Sequence, residues 1–75
     1  MDNAYSAQRI KARGKEQGVS VAAMLAQCEI RKSLIYDMEK RDWTPSVEVF
    51  SKIADYLDCS VDYLLGRTDN PEVNK

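Results

Sequence analysis

The chain has no histidine, and its 75 residues include two cysteines, three glycines, two prolines and one tryptophan. With no histidine, and with Cys28 and Cys59 far apart and lacking partners, no zinc or other metal site is expected. No serine or cysteine stands beside a plausible base, and no glycine-rich loop is present to cradle phosphate. So small a body leaves little room for a pocket. The chain is therefore not expected to be an enzyme, and neither a cofactor nor a small-molecule ligand is expected. There is no run of about 18 apolar residues, so no membrane span is expected. The N-terminus MDNAYSAQRIK lacks the apolar centre of a signal peptide, which makes the cytoplasm the expected compartment. In that reducing setting the two cysteines read as buried free thiols. The length allows one domain with a core only just large enough.

A net charge of −1 argues weakly against a nucleic-acid partner, but the distribution argues the other way. Residues 9 to 41 carry eight Lys/Arg against four acids, whereas residues 42 to 75 carry three against seven. One basic and one acidic half suit a domain that offers a single face to phosphate.

Apolar spacing and capping residues predict an all-α, compact five-helix bundle. The first helix runs from about Ala4 to Gln17, with Ile10 and small alanines inward, Gly14 weakening its middle and Gly18 stopping it. The second follows Ser20, a good N-cap, and carries Val21, Met24, Leu25 and Cys28. Glu29-Ile30-Arg31 form a turn in which Ile30 plugs the core. The third helix, about Lys32 to Lys40, buries Leu34, Ile35 and Met38 and leaves Lys32, Ser33, Tyr36, Asp37 and Lys40 outward. After the loop Arg41-Asp42-Trp43-Thr44-Pro45, Ser46 caps a fourth helix, Val47 to Leu57, whose inward residues are Phe50, Ile53, Ala54 and Leu57. Ser60 caps a short fifth, Val61 to Leu65, that Gly66 stops. The division is a domain over residues 1–68 and a polar tail over 69–75, expected to fray.

Residues 20 to 46, SVAAMLAQCEIRKSLIYDMEKRDWTPS, carry the main functional signal. Two short helices across a tight turn cannot bury their apolar residues alone. They need a bundle behind them, and that bundle holds the second helix outward, where it fits the major groove of DNA.

The order and spacing of Gly18-Val19-Ser20, Met24, Cys28, Ile30, Ile35, Met38-Glu39, Pro45-Ser46, Ile53-Ala54 and Leu57 resemble the lambda-repressor-like (Cro/repressor-type) helix-turn-helix family. The ending SVDYLLGRTDNP resembles the fifth helix and tail of phage and mobile-element regulators of that family. The resemblance covers residues 4 to 70 without a gap. It implies that Lys32, Ser33 and Asp37 touch base edges and that Arg31, Tyr36, Lys40 and Arg41 lie along the DNA backbone. The chain also departs from the pattern. Val21 stands where a Gln usually donates to phosphate, Glu29 where Gly is frequent, Arg31 where Ser or Thr precedes the third helix, and Arg41 where Gly is common. Gly14 replaces an Arg, so Glu39 is expected to lack its usual ion-pair partner.

The expectation is a sequence-specific regulator of transcription that binds double-stranded DNA. One such helix touches few bases, which implies a homodimer on a near-palindromic site. Its dimer or partner surface is sought at Trp43, Tyr56, Tyr63 and Leu64. The alternative is a protein-interaction module on the same scaffold, antirepressor or antitoxin-like, using Trp43 and the acidic C-terminal half.

Overall fold

The computed structural model describes residues 2–72. It places α1 at Asn3–Gln17, α2 at Val21–Gln27, α3 at Leu34–Lys40, α4 at Val47–Tyr56 and α5 at Val61–Leu64. The described residues form no strand, and none of their helices is long and apolar enough to cross a membrane.

Local chemistry fixes most helix starts. Asp2 accepts the Tyr5 N–H at 3.1 Å, Ser20 that of Ala23 at 3.0 Å, Ser46 that of Val49 at 3.2 Å and Ser60 that of Tyr63 at 3.0 Å. Each bond satisfies a backbone donor that the first helical turn leaves without a partner. A left-handed residue follows each helix: Gly18, Glu29, Asp42, Asp58 and Gly66, with φ of 72°, 57°, 52°, 53° and 79°. That reversal lets the next N–H reach back into the helix, as in Val19 to the Gly14 carbonyl at 2.9 Å and Ile30 to the Leu25 carbonyl at 2.8 Å. At Gly66 a side chain is disfavoured twice, by φ and because a Cβ would lie 2.5 Å from the Tyr5 ring, which would have to move.

The core gathers Ala7 and Ile10 of α1, Met24 and Leu25 of α2, Leu34 and Met38 of α3, and Phe50, Ile53 and Ala54 of α4. Leu57, Cys59, Tyr63 and Leu64 complete it. α1 lies against α2, α3 and α5, while α4 packs on α2 and α5. Gly14 is buried, and a Cβ there would sit 3.4 Å from the Val19 carbonyl, so the small residue suits the turn that follows α1.

Three expectations need correction. Glu39 does find a cation: Lys11, three positions before Gly14, reaches it at 2.9 Å. The third helix begins two residues later than its apolar spacing suggests, with Lys32 and Ser33 in a preceding turn. Cys28 is only half-buried at the end of α2, its Sγ 3.7 Å from the Lys52 carbonyl, whereas Cys59 is fully in the core; both thiols are free. The start of the expected tail touches the domain. Asp69 meets Arg9 at 2.7 Å, and the Pro71 carbonyl accepts the Ser60 N–H at 3.0 Å. Arg9 itself lies over the rings of Tyr5 and Tyr63, 5.1 and 4.5 Å from their centres. Residues 73–75 of the expected tail lie outside the described residues.

Candidate nucleic-acid interface

The backbone leaves α2 through Glu29 in the left-handed region and passes the half-buried Ile30. It then presents Arg31, Lys32 and Ser33 in succession, all exposed, before α3 begins. Leu34 and Met38 bury the inner side of α3 completely, which turns Tyr36 and Lys40 to the outside. Arg41 follows the helix with its guanidinium 5.9 Å from the Tyr36 ring centre. Lys32, Ser33, Tyr36, Lys40 and Arg41 therefore share an exposed position on or beside one short helix.

Asp37 does not join them. Expected to face outward and touch bases, it is 9% exposed. Its carboxylate is engaged inside the protein. Oδ2 accepts Arg31 Nε at 2.9 Å and the Ser33 hydroxyl at 3.0 Å, and Arg41 Nε stands 3.9 Å from Oδ1. Its backbone carbonyl accepts the N–H groups of Arg41 and Trp43, each at 3.0 Å. The cause of the correction lies in the late start of α3. With Ser33 at the cap position, Asp37 falls one turn on, beneath the approach of Arg31.

Trp43 completes the group. The Arg31 guanidinium carbon lies 4.0 Å from the indole centre, so one face of the ring is covered by a cation. The loop carrying Trp43 is tied to the start of α1. Asn3 is 2% exposed, and the two hydrogens of its Nδ2 are shared among the Asp42 carbonyl at 3.1 Å, Asp42 Oδ1 at 3.0 Å and Thr44 Oγ1 at 2.9 Å. Sequence reasoning missed both the Arg31–Asp37–Trp43 group and Asn3. The partners are six positions apart in the first case and about forty in the second, beyond any helical periodicity.

Beside Lys32 the surface between α2 and α3 is apolar. Val21, Leu25, Ile30 and Ile35 line a groove of about 450 Å³ with Arg31 and Lys32 at its edge. Of the residues sought at a dimer surface, Tyr56 is 37% and Trp43 36% exposed. Leu64 is completely buried and Tyr63 lies 9% exposed beneath Arg9, so neither offers a surface to a partner. The four-residue α5 turns them inward against α1.

A family model described as Helix-turn-helix matches residues 10–64 of the chain, from the middle of α1 to the end of α5. The chain belongs to the lambda-repressor-like helix-turn-helix family. Over 66 residues it is 35% identical to "HTH-type transcriptional regulator SinR" of Bacillus licheniformis, covering 87% of this chain and 60% of that protein. The chain thus spans about three-fifths of that relative's length. No solved structure matches it significantly. Within this helix-turn-helix chain the turn position often held by glycine is Glu29, and it adopts the left-handed backbone with its side chain in place.

Proposed function

We propose that the chain is a sequence-specific DNA-binding regulator of transcription that sets the turn before α3, and the start of α3 itself, into the major groove. The observation that carries this reading is the exposed run Arg31-Lys32-Ser33 ahead of a helix whose inner face is wholly buried. Family membership and the name of the Bacillus relative support it. Lys32 and Ser33 are the base-facing residues in this proposal. A lysine offers guanine O6 and N7 a flexible donor. Tyr36, Lys40 and Arg41 lie along phosphates, where charge matters more than angle. Two copies about 34 Å apart read a near-palindrome, since one short helix touches few bases. Tyr56, away from the groove-facing helix, is the exposed aromatic proposed for their contact.

The alternative, a protein-interaction module, drew on Trp43 as an anchor. One face of that ring is covered by Arg31, which weakens this reading.

Selection from a random duplex pool, followed by titration at several salt concentrations, tests the proposal. The expected result is an enriched half-site and an affinity that falls steeply with salt. Lys32→Ala is expected to weaken the best site about tenfold or more and to relax one or two base positions. No enriched sequence, with salt-insensitive binding to protein instead, would favour the interaction module.

A further inference from the structure

Resting on that reading, we infer that Arg31 is a pre-set guanine reader, with Asp37 and Trp43 as the residues that hold it in position. The geometry restrains the guanidinium twice. Asp37 Oδ2 takes the Nε hydrogen at 2.9 Å, and the Trp43 ring lies under the planar group at 4.0 Å. Nη1 and Nη2 carry no hydrogen bond to the described residues. Half the side chain, 49%, remains exposed, next to Lys32 on the surface that faces the groove in the proposed complex. An arginine whose Nε is occupied keeps its end edge free, and the two donors of that edge match the O6 and N7 acceptors of guanine.

The restraint separates this role from phosphate contact. A phosphate accepts a mobile cation from many directions, and the unrestrained Lys40 suffices for that. A base edge is fixed in the stack, so a donor already held in a plane loses less conformational freedom on meeting it. The buried carboxylate also explains why an acid is tolerated on a helix that approaches DNA. Its charge is turned inward onto Arg31 and Arg41 and away from phosphate.

The test uses the intact chain and the duplex recovered by selection. Each guanine of the half-site is replaced in turn by 7-deazaguanine, which removes N7 and leaves the pairing edge alone. Affinities are measured for wild type, Arg31→Ala and Asp37→Asn, with thermal melting to establish folding. One guanine per half-site is expected at which the replacement weakens wild type about tenfold. Arg31→Ala is expected to bind both duplexes equally. Asp37→Asn is expected to lose most of the discrimination while binding unselected duplex at least as well as wild type, because a negative charge has gone. A merely structural role for Asp37 would lower both affinities together.

The inference is overturned if wild type ignores N7 at every guanine, or if Arg31→Ala keeps the full discrimination. It is also overturned if Arg31→Ala weakens all duplexes alike with a salt slope lower by about one, the mark of a phosphate contact. Unchanged discrimination in Asp37→Asn removes the positioning role. These results differ from a failure of the parent proposal, in which no duplex is enriched at all and the inference falls with it.

Discussion

Ser20, Ser46 and Ser60 each stand just before a helix and accept an N–H from its first turn. Ser33 stands in the same place before α3 and accepts none; its hydroxyl donates to Asp37 instead. These three helices, like α1 with its Asp2 cap, start as their own sequence dictates. At α3 the place of a cap is taken by a side-chain cluster assembled from a turn, a helix and a loop: Arg31, Asp37 and Trp43. A local cap stabilises a helix and nothing else. A cluster at the helix start also fixes the cation beside it, so in the proposed complex the stability of α3 and the placing of Arg31 are linked.

The largest effect that would sharpen this contrast is expected at Asp37. Asp37→Ala strips Arg31 and Ser33 of an accepting partner and should cost about 2 kcal/mol in urea unfolding. A cost below 0.5 kcal/mol, on the order of an ordinary surface substitution, would mean that the cluster does not hold α3. Next come the caps. Ser20→Ala, Ser46→Ala and Ser60→Ala should each cost about 1 kcal/mol, whereas Ser33→Ala should cost roughly half of that, since Arg31 still engages the carboxylate. Equal losses at all four serines would erase the distinction.

A gain is expected at the turn between α2 and α3. Glu29 holds a φ of 57°, which a side chain disfavours by about 1–2 kcal/mol and glycine adopts freely. Glycine's greater freedom in the unfolded chain offsets part of that. Glu29→Gly should therefore raise stability by about 0.5 kcal/mol, readable as a higher urea midpoint; a lower midpoint would show that the Glu29 side chain has a stabilising role. The smallest difference concerns the thiols. Burial pushes the pKa of both Cys28 and Cys59 up, so the reactive thiolate is scarcer at neutral pH than in an unfolded chain. Cys28, half-buried at the end of α2, should label slowly with a bulky reagent, and Cys59 in the core should not label until the protein unfolds. The reverse order would place the opening motion in the α4–α5 region.

What could be read from the residues follows the range of the forces involved. Serine caps, the stop at Gly18 and the buried faces of Ile10, Met24, Phe50 and Ile53 depend on neighbours within one or two turns, and spacing reveals them. The exposed run Arg31-Lys32-Ser33 was legible for the same reason. Asp37 was not, because an outward helical position and a buried one differ only in whether Arg31 and Trp43 fold over it. Lys11 as the partner of Glu39 was hidden likewise, since the pairing joins two helices 28 positions apart. Leu64 and Tyr63 were misplaced because a helix of four residues has too few positions to declare which side is inner.

The bonds of Asn3 have a consequence for local opening. The first turn of α1 and the loop at Asp42 and Thr44 are tied by one buried amide. If that turn melts, the loop loses its anchor, and with it the setting of the Trp43 N–H, which bonds the Asp37 carbonyl at 3.0 Å. In hydrogen exchange these distant segments are expected to behave as one cooperative unit, with the amide of Trp43 protected by the same opening free energy as the N-terminal turn. Fraying at the first helix of the chain would thereby lower the population in which the platform under Arg31 is in place.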